Sequence, residues 1–396
     1  MRLPGSLPGS PPGIAGAGAD GRWVRVAADV PPGFAYRQVK DTGADGFWTL
    51  DEVIMAAAHE GGEHAERAER RDIGDSTLEQ IRADVVRLSH DLMVREPFPV
   101  FLETRRVRAR VYAVLERKVW PRDARDLYLM TGCLNGLMAS AANNLGYPQS
   151  AEELIRAGWA YAIAAGHRPL MAYLRERGSH IAYHNGRPRK ARDLAERGIE
   201  YARGGQTAAC LHLYYARAMA RLGDAEAARH AIAEGDEARQ RKAPEGTGDL
   251  LEIGGDLVYS RATQHYHAGT ALAEIPGAAA DAITELEHAT ESYAAGPGPG
   301  EDHSRQAAMR SHVDLATVRL RAGRLDAAVV ALEPVLALSP GNRTGLLSQR
   351  LSVVRSELAA PVYQGSAMAS TLGEQLEEWL GDTITGDLAA LGSASG

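Results

Sequence analysis

The segment "LMASAANNLGYPQSAEELIRAG", residues 137 to 158, decides the fold because its pattern recurs along the chain. A small residue, Ala139, stands seven positions before Gly146, and two more, Ala151 and Gly158, stand five and twelve positions after it. Glycine permits the left-handed turn between two helices, and small residues permit the helices to pack closely. The segment therefore predicts two antiparallel helices joined by a tight turn.

Four other segments share this pattern. Three clear copies, "RGSHIAYHNGRPRKARDLAERG", "YYARAMARLGDAEAARHAIAEG" and "DLATVRLRAGRLDAAVVALEPV", turn at Gly186, Gly223 and Gly323, and a weaker copy turns at Gly277. Successive turn glycines are 40, 37, 54 and 46 residues apart, so the phrases "RKAPEGTGDLLEIGG" and "AAGPGPGEDHS" are predicted insertions. These offsets resemble those of the tetratricopeptide repeat (TPR), in which each helix pair buries its apolar face against the next pair.

The predicted fold is therefore all-α: a TPR-like α-solenoid of stacked antiparallel helix pairs with an N-terminal helical cap. Residues 1–21 are rich in Pro, Gly and Ser, and a helical apolar period begins near Asp75. The predicted domains are a disordered or irregular segment (1–50), the helical cap (51–120), the TPR-like repeats (121–365), and a C-terminal helix with a flexible tail (366–396).

Composition excludes several classes of protein. The net charge of −7 argues against general nucleic-acid binding through the whole surface. Two cysteines, Cys133 and Cys210, provide neither a disulfide framework nor a zinc quartet. No apolar run is long enough for a signal peptide or a membrane span. We therefore expect a cytoplasmic protein with no membrane contact.

The phrase "AAAHEGGEHAERAERRDIGD", residues 56 to 75, resembles a zinc-protease motif. Its histidines, His59 and His64, are five positions apart, whereas a zincin helix needs them four apart so that both meet one zinc ion. A zinc-dependent hydrolase using these two residues is the less favoured alternative. The chain shows no nucleophile elbow, P-loop or dinucleotide fingerprint. We expect no enzyme activity, catalytic residue, metal site or cofactor.

Longer phrases point to a narrower family. The segments "AAHEGGEHAERAERRDIGDSTLEQIRADVVRLS", "YPQSAEELIRAGWAYA", "SRATQHYHAGTALAEIPGA" and "AAGPGPGEDHS" resemble the C-terminal region of Xre-type helix-turn-helix regulators of actinomycetes. The resemblance covers roughly residues 22 to 365. It implies a TPR-like region that senses a signal or partner and controls transcription. In those regulators a DNA-binding domain comes first, and residues 1–50 of this chain show no helix-turn-helix pattern.

The TPR resemblance also implies which side chains line the concave groove, namely those two, three and six positions before a turn glycine, and the first three turns, at Gly146, Gly186 and Gly223, provide the candidates. The phrase "QHYHAG" adds two histidines that could line the same groove. Amides, imidazoles and guanidiniums can hold an extended peptide or a small ligand; the competing interpretation is core packing or a solvated surface. The candidate site residues are Asn143, Asn144, His180, Tyr183, His184, Arg217, Arg221, His265 and His267.

A further alternative is direct DNA binding through the arginine-rich segment "ETRRVRARVYAVLERKVWPRDAR", residues 103 to 125. An excess of basic residues there could meet phosphate, although an ordinary solvated helix face explains the same pattern. The expected partner is a peptide, a small signal molecule or a protein bound in the groove. The pattern leaves direct nucleic-acid binding and a homodimer open.

Overall fold

The computed structural model describes residues 23–24, 48–49, 57–58, 60–61, 74–202, 204–243, 247–299 and 301–381. The chain divides into two compact units, Met1–Asp72 and Ile73–Gly396. In the first unit, strand β1 (Trp23–Val24) pairs with strand β2 (Trp48–Thr49) in antiparallel register. His59 and His64 lie outside the described residues, and so does the predicted C-terminal tail beyond residue 381.

The second unit confirms the all-α prediction. Across the part of this unit that the structure describes there are fifteen α-helices, joined by short loops and three 3-10 turns, Gly255–Leu257, Pro340–Asn342 and Pro361–Tyr363. The helices are α1 (Asp75–Val94), α2 (Pro97–Leu115), α3 (Pro121–Asn144), α4 (Pro148–Ala165), α5 (Arg168–His184), α6 (Pro188–Ala202), α7 (Gly205–Arg221), α8 (Ala225–Gln240), α9 (Thr247–Ile253), α10 (Arg261–Leu272), α11 (Ala279–Ala295), α12 (Arg305–Arg321), α13 (Leu325–Leu336), α14 (Gly345–Leu358) and α15 (Ala367–Gly381).

The five predicted turns all lie between paired helices. The pairs are α3/α4, α5/α6, α7/α8, α10/α11 and α12/α13, and in each the two helices pack along one another. The backbone φ angle is positive at every turn glycine, from 69° at Gly186 to 92° at Gly146. Side chains other than glycine rarely adopt this conformation, so these glycines end one helix and redirect the chain into the next.

Small residues lie where the paired helices meet. The residues seven positions before the clear turn glycines (Ala139, Ser179, Ala216 and Ala316) are completely buried. Small residues also lie between successive pairs, since a Cβ added to Gly198 on α6 would lie 2.5 Å from a methyl carbon of Leu211 on α7. Larger residues at these positions would push the helices apart, which explains the composition of the repeat.

A sixth pair follows the five predicted from the sequence. Helices α14 and α15 pack together, and the loop between them turns at Gly365, where φ is +80°. The sequence pattern misses this pair because Ser370, Gly373 and Glu377 occupy the offsets after its glycine, and only one of them is glycine or alanine. The 3-10 turn Pro361–Tyr363 also lengthens the loop beyond that of the other pairs.

The first helices of the six pairs form a closed ring. Each of α3, α5, α7, α10, α12 and α14 contacts the next, and α14 returns to contact α3. At this seam the backbones come so close that a Cβ added to Gly345 would lie 3.2 Å from the Cα of Gly146. The open concave groove implied by the TPR resemblance is therefore an interior surrounded by helices.

The two predicted insertions lie over one side of this interior. The first includes α9 and the turn Gly255–Leu257, which packs against α1. There the Ser89 hydroxyl donates a hydrogen bond of 2.7 Å to the Gly254 carbonyl. From the second insertion, Asp302 accepts a hydrogen bond of 2.8 Å from the Gly255 N–H. The insertions are thus packed parts of the second unit, and they border the interior described below.

Within the described residues, none of the helices combines the length and the apolar character that crossing a bilayer requires.

Candidate functional site

A cavity of about 530 Å³ lies inside the ring, near the C-terminal ends of the first helices. We call it the large cavity. Its lining comes from five helices, α5, α7, α10, α12 and α14, and from the turns that follow two of them. The volume is within the usual range for a site that takes a small molecule. Because most of the lining side chains lie on packed helices, the fold itself holds the site in place.

Arg217 on α7 lies at the wall of the large cavity and is only 1% exposed. Its guanidinium donates hydrogen bonds to Nδ1 of His267 (3.2 Å) and to Nε2 of His184 (3.4 Å). The same group lies 4.3 Å from the centre of the Tyr183 ring, over its face. Arg217 is thus held in place by aromatic and imidazole groups of the neighbouring helices α5 and α10.

The histidines around Arg217 are neutral at physiological pH. Burial lowers the pKa of His184 and of His267 well below the ordinary value, and the nearby arginines lower both further. Burial has the same effect on the pKa of His180, whose Nδ1 shares a hydrogen bond of 2.9 Å with the Tyr214 hydroxyl. Neutral imidazoles accept hydrogen bonds from an arginine but do not balance its charge.

Arg350 on α14 reaches the same place from the other side of the ring. It donates a hydrogen bond of 3.3 Å to Nε2 of His184, the atom that Arg217 also contacts. Its other partner is the Asp314 carboxylate, with which it forms a tight ion pair. Burial, the largest single influence, lowers the pKa of Arg350, but Asp314 and the nearby Tyr266 and Tyr183 together raise this pKa above its usual value. The charge of Arg350 is therefore matched within the protein.

Two more arginines lie at the edge of the large cavity, and each has a carboxylate partner. Arg221 pairs with Glu274 and donates a hydrogen bond of 3.2 Å to the Tyr183 hydroxyl. Arg321 forms an ion pair of 2.8 Å with Glu357. The large cavity is thus bordered by four guanidinium groups, of which Arg217 is the one with only neutral partners.

A smaller cavity of about 50 Å³ lies on the other side of His180 and His267, towards the insertions. We call it the small cavity. Arg310 on α12 lines it and is 8% exposed. Its guanidinium donates a hydrogen bond of 3.1 Å to the amide oxygen of Asn144. Among the described residues no carboxylate forms an ion pair with Arg310, and burial lowers its pKa.

A buried ionic cluster completes the wall of the small cavity. Arg177 lies between two carboxylates, 2.5 Å from an oxygen of Glu176 and 3.5 Å from an oxygen of Asp256. Asp256 also accepts hydrogen bonds from the hydroxyls of Tyr173 (2.8 Å) and Ser140 (2.9 Å). Burial raises the pKa of Glu176, which favours its neutral form. This cluster links α3 and α5 to the first insertion.

The structure brings eight of the nine sequence-predicted site residues to these two cavities. The large cavity is lined by Tyr183, His184, Arg217 and Arg221. The small cavity is lined by Asn143, Asn144, His180 and His267. The ninth residue, His265, lines neither cavity, and its Nδ1 shares a hydrogen bond of 2.8 Å with the Glu285 carboxylate of α11.

Among the described residues, His265 belongs to a group of three side chains with suitable ligand atoms for a metal ion. Its ring, the Glu285 carboxylate and the His288 ring present ligand atoms that all lie within 4.8 Å of one another. Two imidazoles and a carboxylate suit a transition metal such as zinc. His265 and Glu285 already share a hydrogen bond of 2.8 Å, and exposed groups of this kind commonly exist without a metal.

Sequence reasoning missed several residues that line the cavities. Three of them, Asp314, Thr317 and Arg321, stand nine, six and two positions before Gly323. The same offsets before Gly186 and Gly223 also give cavity-lining residues, so a helical stripe at these spacings would have found all three. Arg350 lies in the sixth pair, which the repeat pattern did not include, and Arg310 lies outside the stripe.

Three arginines of the arginine-rich segment make contacts within the protein. Arg108 donates a hydrogen bond of 2.8 Å to the Asn135 side chain, and Arg110 forms an ion pair of 3.2 Å with Asp84. Arg125 donates a hydrogen bond of 2.8 Å to the Ala165 carbonyl. These contacts support the structural interpretation of the segment and do not favour a phosphate-binding surface.

No protein-family model matches the chain, and a search of curated proteins gives no significant match.

Proposed function

We propose that this protein is a regulatory module whose helical ring binds a small signal molecule or a short peptide, and that binding controls transcription through a partner. The observation that carries the proposal is the large cavity, which five helices line with hydroxyl, imidazole and guanidinium groups. A site of this size with converging polar groups is typical of ligand binding. The described residues around it offer no arrangement typical of nucleophilic or acid–base catalysis.

The regulatory part of the proposal rests on the resemblance to the C-terminal region of Xre-type regulators. The ring supplies a physical means of regulation, because the ligand would touch helices from five different pairs at once. A ligand that binds one arrangement of these pairs more tightly than another shifts the population towards that arrangement. Helices α1, α2 and α15, which flank the ring in sequence, would then carry the change to a partner.

Native mass spectrometry tests ligand binding directly. The full chain, expressed in an actinomycete and purified without denaturant, should carry extra non-covalent mass that disappears under denaturing conditions. A Val353→Trp variant should lose this mass, because Val353 lines the large cavity and is 42% exposed, so an indole there fills the opening without disturbing the core. The matched control is Val330→Trp on α13, at a position that is 60% exposed and away from both cavities.

Two results would contradict the proposal. One is a wild-type mass equal to that of the bare chain; the other is extra mass that Val353→Trp retains. The transcriptional output is tested by placing both variants in the chromosome of the native host. Val353→Trp should change transcript levels as deletion of the gene does, whereas Val330→Trp should resemble the wild type.

A further inference from the structure

We infer that the ligand of the large cavity is an anion, a small molecule or peptide terminus with a carboxylate or phosphate group, and that Arg217 receives this group. The inference rests on the proposed function and specifies its ligand class. It follows from how the charges of the interior are distributed.

Arg217 carries a buried charge that the protein does not balance. The side chain is 1% exposed, and no carboxylate of the described residues forms an ion pair with it. Its Nε atom is buried without a hydrogen-bond partner among the described residues. Buried charges in proteins are normally paired, because removing an ion from water is costly unless an opposite charge replaces the water. An anion beside Arg217 would supply that charge.

The neighbours of Arg217 cannot balance its positive charge. Its two hydrogen-bond acceptors are imidazoles of His184 and His267, and burial keeps both neutral. The face of the Tyr183 ring attracts the guanidinium. This contact orients the guanidinium but does not neutralise its charge. These contacts fix the guanidinium in one position at the cavity wall. A fixed, desolvated guanidinium is well suited to a carboxylate or phosphate group.

The other charged groups of the large cavity do not neutralise the positive charge of Arg217. Its lining contains four arginines and two carboxylates, Glu274 and Asp314. Each of these carboxylates is already in an ion pair, Glu274 with Arg221 and Asp314 with Arg350. The remaining lining is neutral, so the potential at the cavity centre is positive. The cavity thus attracts an anion and disfavours a cationic ligand.

Arg310, which lines the small cavity, adds to the positive potential of the interior. That cavity has room for only a few water molecules, so a carboxylate-bearing ligand fits the large cavity instead. Arg217 donates to His267, which lines the small cavity, so the two cavities are neighbours across this contact. Both unbalanced guanidiniums therefore lie at neighbouring cavities.

Anion titration of the full chain tests the inference. The protein, dialysed into sodium chloride, is titrated with inorganic phosphate and separately with citrate, at constant ionic strength. At least one of these probes should raise the melting temperature saturably by about 3 °C or more, through preferential binding to the folded state. The more effective probe indicates whether the natural group is a phosphate or a carboxylate.

Four variants locate the anion. Arg217→Met keeps an unbranched apolar stem but removes the guanidinium, and it should weaken binding at least tenfold. Arg319→Met is the matched control, since Arg319 is also mostly buried but pairs with Glu287 (2.8 Å) outside both cavities. It should bind the probe as the wild type does. Val353→Trp should abolish binding while leaving Arg217 in place, and so it replaces Arg217→Met if that variant does not fold. Arg310→Met should weaken binding less than Arg217→Met.

The inference is overturned if neither probe has an effect beyond that of chloride. It is also overturned if Arg319→Met loses as much affinity as Arg217→Met, or if Val353→Trp binds like the wild type. A neutral molecule found in the cavity by native mass spectrometry, with no anion effect, would leave the proposed function standing and refute the anionic ligand.

Discussion

Replacing Gly345 with leucine should open the seam of the ring without unfolding the helices. Gly345 begins α14 and lies against the end of α3, where an added Cβ would be 3.2 Å from both the Cα of Gly146 and the carbonyl oxygen of Leu145. Both neighbours are backbone atoms, which cannot rotate away as a side chain can. The rest of the leucine has to displace one helix from the other.

The size of the effect follows from overpacking. Forcing extra methylene groups into a packed site typically costs about 1–3 kcal/mol. The seam joins helices that are about two hundred residues apart in sequence, and few other contacts connect them. The variant can therefore relieve the strain by separating α14 from α3. At roughly 2 °C per kcal/mol for a chain of this size, the melting temperature should fall by about 2–6 °C.

Thermal unfolding combined with hydrogen–deuterium exchange measures both consequences. In Gly345→Leu the amides at the start of α14 and the end of α3 should exchange faster, while those of α7 and α8 should not change. Gly373→Leu is the matched control, because a Cβ at Gly373 in α15 meets no atom within 4 Å. There leucine improves helix propensity by up to about 1 kcal/mol.

Two results would refute the closed seam. One is a Gly345→Leu protein with wild-type melting temperature and wild-type exchange at both helix ends. The other is an equal loss of stability in Gly373→Leu, which would show that leucine at any helical glycine has this effect.

Three further predictions concern the interior. Gly136→Ala should lower the melting temperature by about 2–4 °C, because the alanine Cβ would lie 2.5 Å from the buried Tyr173 ring and this overpacking outweighs the gain in helix propensity. An unchanged melting temperature would contradict this contact. The free energy of unfolding, measured with urea, should fall as the pH is lowered from 7.5 to 5.5, because the buried histidines bind protons near pH 6.5 when unfolded but not when folded. The slope approaches about 1.4 kcal/mol per pH unit for each such histidine, and a flat pH profile would contradict their depressed pKa values. These histidines are His180, His184 and His267. Neither cysteine should react with Ellman's reagent before unfolding, because burial raises the pKa of Cys133 to about 12 and that of Cys210 well above its usual value. Two thiols should react in denaturant, whereas fast reaction of the native protein would contradict their burial.

The helix pairs could be predicted because the information that specifies them is local. A turn glycine and small residues at fixed offsets act within about twenty residues, so the sequence shows them directly. Gly146, Gly186 and Gly223 are confirmed as turns by their positive φ angles. The sixth pair was missed because the loop at Gly365 includes a 3-10 turn, and because Leu358 and Glu377 occupy two of the offsets where the other copies have small residues.

The positions chosen from the sequence lie at the two cavities, but their surroundings could not be predicted. His184 and Arg217 both line the large cavity, since side chains at those offsets before a turn glycine share one helix face. Their burial could not be foreseen, because it depends on the closure of the ring by α14, a contact between distant parts of the chain. Arginine on a helix is usually solvated, so nothing in the sequence distinguished Arg310 and Arg350 from surface residues.

The shared contact at His184 has a consequence for spectroscopy. Guanidinium groups only donate hydrogen bonds, so the Nε2 atom that faces both Arg217 and Arg350 must be unprotonated. The neutral ring is therefore confined to the tautomer with its proton on Nδ1, whereas a free imidazole exchanges between two tautomers. An anion that draws Arg217 towards itself would remove one of the two donors. The ¹⁵N chemical shift of Nε2 in His184 would then report occupancy of the cavity from within the protein, without any added label on the ligand.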